Sequence, residues 1–223
     1  GLTLRSSGPA FCGPLTLAFR HHEVNFTVLV LLLVVAAPSF AVVQSIPATA
    51  LDAIRVFAMA GTEPITADLP PTATTYTSVA AITQLTKNSA TIIIVADVQA
   101  SAYRVVARSK PFSFSRESNF GAWVEEFRFT RPDRIELTIT SRNGCARTLA
   151  THRFALRNGT WLVVGLDRTA MRCTDNGVEQ DWTESANYLT GRVVRTTFAP
   201  SKPPKTAQLR TTRKSFAMSE FPP

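Results

Sequence analysis

Apolar and polar residues alternate along most of the chain after residue 76, and this alternation predicts β-strands. Two neighbouring segments show it most clearly, with large apolar residues at even spacing: Trp123, Phe127 and Phe129, then Ile135, Leu137 and Ile139. A three-residue loop over residues 131–133 would place Phe129 opposite Ile135, with both apolar sets on one face. We therefore predict a hairpin in which Phe127 also pairs with Leu137.

One segment, "TALDAIRVFAMAG" (49–61), has helical spacing instead. Its apolar residues recur three or four positions apart and form one stripe: Leu51, Ile54, Phe57 and Ala58. Thr49 can cap the start of this helix, Asp52 suits a capping box, and Gly61 can close its end. Together these patterns predict a mainly β chain, an antiparallel meander or sandwich-like sheet of about eight strands with one N-terminal helix.

The first 41 residues differ from the rest of the chain. An apolar run begins at Phe26 and ends at Pro38, and Ser39-Phe40-Ala41 then places small residues at the two positions that a signal peptidase reads. This layout is typical of a signal peptide. A membrane anchor is the alternative, but a span needs about 20 apolar residues and this run is interrupted after about a dozen. We predict that residues 1–41 are a signal peptide with a spurious or extended N-terminus, leaving no membrane span after cleavage before Val42.

The predicted mature chain divides into a body and a tail. Residues 42–199 carry the strand pattern and are predicted to form a single β-rich domain. Residues 200–223, "PSKPPKTAQLRTTRKSFAMSEFPP", combine prolines and scattered cations with no apolar period. That composition predicts a disordered, basic, Pro-rich tail.

Composition makes the chain a folded, basic protein. Hydrophobic residues make up 45% of its 223 residues, which is enough for a packed core and argues against global disorder. The 24 Lys and Arg outnumber the 16 Asp and Glu, which gives a formal net charge of +8. Predicted export argues against an ordinary nucleic-acid role, and few aromatic residues flank the arginines as stacking platforms.

The stretch "ALRNGTWLVV" (155–164) predicts a second hairpin, because Asn158-Gly159 favours a two-residue turn. Carried outward from that turn, the pairing sets Cys173 opposite Gly144 and misses Cys145 by one residue. A bulge at Gly165 would add one residue to its strand and bring Cys145 opposite Cys173.

Chemistry also favours a disulfide between these two cysteines. They are the only cysteines of the predicted mature chain, and exported thiols usually pair. A metal site would need further ligands, and His152 is the single histidine after residue 41. A nucleophilic cysteine would need a base and a free thiol. We predict the Cys145–Cys173 disulfide, with free structural thiols and chemistry as alternatives.

Arginines cluster along the same hairpin and form a candidate anion-binding set: Arg147, Arg153, Arg157, Arg168 and Arg172. Arg153 and Arg157 share a parity, so their side chains are expected on one face of the strand. A stripe of this kind could contact phosphates or anionic glycans. A solvated charged face is the alternative.

The sequence gives less support for catalytic residues than for the disulfide or the arginine set. Glu125 and Glu126 are neighbours on a strand and are expected on opposite faces, while Glu136 lies near the same hairpin. His152 and Asp167 are expected on one face of the cysteine hairpin, but no nucleophile-elbow sequence accompanies them. We assign no catalytic residue, metal ligand or cofactor.

Three stretches, "HRFALRNGTW", "WTES" and "NYLTG", resemble uncharacterised exported proteins of proteobacteria, of xanthomonad type. Upstream, "EPITADLPPTATTYTSVAAI" weakly resembles an FG-GAP, integrin-type blade with a calcium loop. It keeps Asp68 but lacks the other acidic ligands, and calcium usually takes six or more oxygens. The resemblance implies export and an all-β body, and it implies no activity.

These observations lead to three functional hypotheses. The leading one is an exported, non-enzymatic β protein, periplasmic or secreted, that binds an unknown protein or a cell-envelope component. The second is a hydrolase that uses carboxylates of the sheet. The third is an anion- or glycan-binding protein that acts through the arginine stripe.

Overall fold

The computed structural model describes residues 46–69, 78–99, 102–113, 121–175 and 177–222. All of them belong to one of two units, which spans Val43–Pro223. The predicted signal peptide and its cleavage point lie outside the described residues. Within these residues the fold is mainly β, with antiparallel meander sheets and one short N-terminal α-helix, as predicted.

The elements form one helix and two sheets. Helix α1 spans Ala48–Arg55. Sheet A contains β1 (Ile65–Thr66), β2 (Ser78–Thr86), β3 (Ser89–Gln99), β4 (Ala102–Arg108) and β5 (Phe112–Ser113). Sheet B contains β6 (Gly121–Arg131), β7 (Arg134–Asn143), β8 (Ala146–Arg157), β9 (Thr160–Thr174), β10 (Gly177–Asn187), β11 (Arg192–Ala199), β12 (Lys202–Arg210) and β13 (Phe216–Ala217). A short 3₁₀-helix, Met218–Glu220, follows β13.

The two sheets pack face to face. One buried cluster contains Ile82 and Ile92 from sheet A together with Leu137, Phe154 and Trp161 from sheet B. Burial of such side chains is the main stabilising contribution to a sandwich of this kind. We call the face of sheet B that carries these residues its inner face and the opposite one its outer face.

Helix α1 covers the other side of sheet A, where Ala50 and Ile54 pack in a second buried cluster. The predicted cap is wrong, because Pro47 rather than Thr49 occupies the N-cap position and no side chain caps the helix. The carbonyl of Pro47 instead accepts hydrogen bonds from the backbone N–H groups of Ala50, at 3.0 Å, and Leu51, at 3.2 Å. Since proline already holds a φ near −60°, the chain enters the helix without a side-chain cap.

Two sheet edges meet at Asp68. Its backbone N–H donates to the carbonyl of Phe127 at 2.9 Å, and its carbonyl accepts from the N–H of Phe129 at 2.7 Å. The neighbouring Ala67 donates to Ala80 of β2 at 2.8 Å. The residue that the FG-GAP-like stretch keeps therefore has a structural role in its backbone, which links β6 of sheet B to sheet A.

The predicted pairing of β6 with β7 is confirmed: Phe129 lies opposite Ile135 and Phe127 opposite Leu137. The turn is tighter than the expected three residues, because Arg131 pairs with Arg134. An irregularity between Phe129 and Arg131 accommodates the extra residue, so the register is kept.

The predicted bulge in the second hairpin is also confirmed. Phe154 pairs with Val163, whereas Arg153 pairs with Gly165, so Val164 is the inserted residue. Gly165 has a further role, because a Cβ atom there would lie 2.7 Å from a guanidinium nitrogen of Arg153 and 2.8 Å from the carbonyl oxygen of Ala186. Glycine at this position lets the Arg153 side chain lie across β9.

The prediction of a disordered tail over residues 200–223 is wrong. Strand β12 extends the sheet, and β13 pairs with β9 through Phe216, opposite Val163. Met218 and Phe221 are each only 1% exposed. The apolar residues of this segment are few and irregularly spaced, yet they enter the core because β13 returns the chain to the middle of the sandwich. The β-rich domain therefore continues beyond Ala199.

Candidate functional site

The inserted Val164 decides which arginines share a face. His152 pairs with Leu166, and Leu166 packs against the buried cluster, so this register position belongs to the inner face. Two residues further along β9, Arg168 is also on the inner face. Arg153 pairs with Gly165 and therefore lies on the outer face.

The five predicted arginines accordingly do not form one stripe. Arg147, Arg153 and Arg157 lie on the outer face of sheet B, whereas Arg168 and Arg172 lie on the inner face. Four of them form ion pairs with nearby carboxylates: Arg147 with Glu125, Arg153 with Asp167, Arg168 with Glu184, and Arg172 with Asp181. Their charge is thus largely balanced locally.

The inner face beyond the core carries a groove of about 430 Å³, which we call the basic groove. Its floor is apolar, formed by Leu166, Ala186 and Val193, and its charged groups include Arg168 and Glu184. Residues 209–213 form the opposite wall. This wall exists because the chain leaves β12 and passes β11 and β10 to pair again with β9.

Glu184 lies at the centre of the charged end of the groove. Its side chain is 9% exposed and receives hydrogen bonds from both Arg168 and Arg195, including one from Arg195 Nε at 3.0 Å. Burial alone would raise the pKa of Glu184, but the hydrogen bonds from the two arginines outweigh it and the pKa lies below its ordinary value. The carboxylate therefore stays charged and fixes both guanidinium groups.

The indole ring of Trp182 completes this arrangement. The guanidinium carbons of Arg168 and Arg195 lie 5.5 and 5.4 Å from its ring centroid, within the range of cation–π attraction. Arg168 and Arg195 are thereby held close together, and the carboxylate of Glu184 partly neutralises the charge of both. The arrangement is a fixed pair of guanidinium groups, of which that of Arg168 lines the groove.

The chain around the basic groove is unusually rich in cations. Residues 185–219 contain no Asp or Glu, and they contain seven cations: Arg192, Arg195, Lys202, Lys205, Arg210, Arg213 and Lys214. Arg210 and Arg213 line the groove itself. The segment predicted to be a tail thus supplies one wall of the groove. Sequence reasoning missed the site, although the absence of acids over residues 185–219 was a readable signal.

The three candidate catalytic acids of sheet B all form hydrogen bonds or ion pairs with neighbouring side chains. Glu125 accepts hydrogen bonds from Trp123, Thr140 and Arg147, at 3.0–3.1 Å. Glu126 and Glu136 both form ion pairs with Arg128, at 2.7 and 3.0 Å. The expectation that Glu125 and Glu126 lie on opposite faces is wrong, because a register shift between Val124 and Glu126 places Glu125 beside outer-face residues. Nothing in the described residues favours the hydrolase hypothesis.

His152 and Asp167 do not act together. The inserted Val164 puts Asp167 on the outer face with Arg153, at 2.8 Å, whereas His152 points into the core. There its ring packs edge-on against Phe221, with ring centroids 4.7 Å apart. Burial, and secondarily the charge of Arg168, lowers the pKa of His152 to about 4. The histidine is a neutral core residue at neutral pH.

This burial predicts a specific loss of stability in acid. In the unfolded chain His152 is protonated below its ordinary pKa of 6.5. In the folded chain its pKa is about 4, so it is protonated only at lower pH. The contribution of His152 to stability is therefore complete above pH 6.5 and falls by about 3 kcal/mol as the pH drops to 4. Urea unfolding at several pH values should show this loss, and His152→Gln should show a shallower slope in the same window. Parallel slopes for the two proteins would contradict the prediction.

The predicted disulfide is confirmed. Cys145 and Cys173 are bonded, with their Cα atoms 5.7 Å apart, at the open end of the β8–β9 hairpin. The inserted residue in β9 brings the two cysteines into register. Disulfides persist mainly in oxidising compartments, which is consistent with a location outside the cytoplasm.

Among the described residues, no three His, Cys, Asp or Glu side chains come together as a metal site. In the same ranges, no helix has the length and apolar character needed to cross a bilayer.

Comparison of the chain with protein-family models, curated proteins and solved structures returned no match. The resemblance to exported proteobacterial proteins therefore stays a prediction.

Proposed function

We propose that this is an exported, non-enzymatic protein that binds a polyanionic component of the cell envelope through the basic groove. One observation carries the proposal: the groove combines Arg168, which Glu184 fixes beside the neighbouring Arg195, with Arg210 and Arg213 of a segment that contains no acid. The signal-peptide layout and the disulfide support a periplasmic or secreted location.

The charge arrangement suits a polymer with many acidic groups better than a single ion. Glu184 offsets one of the two charges of the Arg168–Arg195 pair, and among the described residues no carboxylate forms an ion pair with Arg210 or Arg213 of the wall. A line of such cations attracts polyanions over a Debye length and holds them more weakly as salt rises. The apolar floor adds contact area for the body of the polymer.

Nucleic acid fits the groove less well. Binding of single strands relies on aromatic rings that stack on bases. Among the described residues, the aromatic side chain that lines the groove is Tyr188, which is buried and packs against Phe216, and the nearby ring of Trp182 is already covered by two guanidinium groups. A polymer of acidic sugars or phosphates requires no such stacking, so we favour an envelope polyanion.

The proposal is tested with the full chain and two probes, polygalacturonate and polyphosphate, with neutral dextran as the uncharged comparison. Replacing Arg210 and Arg213 by glutamine should weaken binding at least tenfold, because each position removes one uncompensated charge from the groove wall. Binding should also fall steeply between low and high salt. Affinity is measured by titration calorimetry.

Arg104→Gln with Lys87→Gln is the matched control, since it also removes two positive charges and both residues are exposed on sheet A and its β2–β3 turn, outside the groove lining. It should leave affinity within a factor of two. Equal losses for the control variant and the groove variant would mean that net charge alone governs binding. Dextran bound as tightly as polygalacturonate would exclude an electrostatic site.

A further inference from the structure

The outer face of sheet B carries a second concavity, of about 260 Å³, which we call the outer pocket. We propose that the outer pocket binds one small ligand of monosaccharide size that carries a single carboxylate or phosphate. Among the residues that line the outer pocket are Thr130, Arg134, Arg153, Ala155, Arg157 and Asn187. It lies on the opposite face from the basic groove, so the proposal does not depend on the proposed function.

Two arginines face each other across a small residue. Arg134 pairs with Ala155 across the sheet, and Arg157 lies two positions further along β8, so all three side chains are on one face. Ala155 is only 1% exposed and lines the pocket together with both arginines, so it forms part of the pocket floor. Within the described ranges, neither Arg134 nor Arg157 has an ion-pair partner.

The register of both hairpins creates this pairing. Arg134 directly follows the Pro132-Asp133 turn, and Arg157 directly precedes the Asn158-Gly159 turn, so both turns lie at the same end of sheet B. The backbone N–H of Leu156 donates to the carbonyl of Asp133 at 2.9 Å and ties the two turns together. Backbone geometry therefore fixes the positions from which the two arginine side chains extend.

Arg153 supplies a rigid wall. Its guanidinium donates to the carbonyl of Ala186 at 3.0 Å and pairs with Asp167 at 2.8 Å, lying over Gly165. Because Asp167 balances its charge, Arg153 contributes shape and not attraction. A wall fixed in advance lowers the entropy lost when a ligand binds.

The other polar side chains that line the outer pocket favour a ligand with hydrogen-bond acceptor atoms. The Oδ1 atom of Asn187 accepts from the backbone N–H groups of Leu189 and Thr190, at 3.0 and 3.2 Å, which leaves its amide N–H₂ as the free end. Glu136 is the one carboxylate of the lining among the described residues, and Arg128 binds it at 3.0 Å. Guanidinium and amide donors around one space are the chemistry that recognises a carboxylate or phosphate.

The size of the outer pocket sets the class of ligand. Sites for drug-sized ligands usually enclose about 300 Å³ or more, and the outer pocket encloses about 260 Å³. A monosaccharide with one acidic group fits this volume. Leu189, which is 53% exposed at the rim, offers an apolar contact for the face of a sugar ring.

The experiment titrates the full chain with glucuronate, glucose 6-phosphate and glucose, following backbone amides by nuclear magnetic resonance. We expect saturable shifts at the residues of the outer pocket for at least one acidic sugar and none for glucose. Saturation by glucuronate alone would identify a carboxylate site, and saturation by glucose 6-phosphate alone a phosphate site. Saturation by neither, or equal binding of glucose, would overturn the proposal.

Three variants make the outcome specific to this pocket. Arg134→Gln with Arg157→Gln should weaken binding at least tenfold, and both side chains are exposed, so the fold should be kept. Glu136→Gln should tighten binding, because it removes the one negative charge of the lining. Arg210→Gln with Arg213→Gln alters only the basic groove and should leave sugar binding unchanged. Unchanged affinity in the first variant, or weaker binding in the second, would count against the site.

Discussion

Replacing Phe221 by alanine is expected to lower the free energy of unfolding by about 3–5 kcal/mol. The side chain is 1% exposed and packs edge-on against three rings: Phe112 at 6.0 Å, His152 at 4.7 Å and Phe154 at 5.4 Å between centroids. Its removal leaves a cavity between the two sheets that the surrounding rings can fill only in part. Urea unfolding at pH 7 measures the loss, and the melting temperature should fall by roughly 10 °C.

Leu209→Ala provides the control within the same stretch of chain. Leu209 is 46% exposed on β12, so its truncation should cost less than about 1 kcal/mol. A protein shortened after Arg213 should be destabilised at least as much as the Phe221 variant, since it also loses Phe216 and Met218. If the shortened protein melted within one or two degrees of the full chain, the C-terminal segment would not be part of the core.

Replacing both cysteines by serine is expected to lower stability by roughly 3–4 kcal/mol. The disulfide joins residues separated by 28 positions, and in the chain-entropy model closing a loop of that length restricts the unfolded chain by this amount. A β-hairpin that keeps some order when unfolded would reduce the effect. Denaturant unfolding of the double variant measures it, and polygalacturonate binding should persist below the new melting temperature.

Thiol counting gives an independent check of the same bond. The unreduced, unfolded protein should show no reactive thiol from Cys145 or Cys173. Lost binding with unchanged stability in the double variant would instead point to a chemical role for the cysteines. Single variants are less informative, because each leaves one unpaired thiol.

The register of sheet B could be predicted from the sequence because its rules are local. The pairing of Phe129 with Ile135 follows from even spacing and a short turn. The disulfide follows from the Asn158-Gly159 turn and one inserted residue. The inserted residue also places Asp167 and His152 on opposite faces. The same register shift aligns the two cysteines, so predicting the disulfide already implied this separation.

The C-terminal part of the fold could not be predicted in the same way. Phe216, Met218 and Phe221 follow neither helical nor strand spacing, since each enters the core from a different element. Periodicity detects regular elements and misses such a segment. The basic groove depends on this segment for one wall, so it too depends on tertiary packing.

The extra residue at Val164 shifts the alternation of side chains between the two faces of β9 by one position. Before it, odd-numbered positions such as Trp161 and Val163 face the core; after it, even-numbered positions such as Leu166 and Arg168 do. Insertion or loss of one residue at that point would therefore exchange the two surfaces of the distal strand without altering a single side chain. In this protein one inserted codon is enough to assign Arg168 to the groove, Asp167 to the opposite surface and Cys173 to its partner.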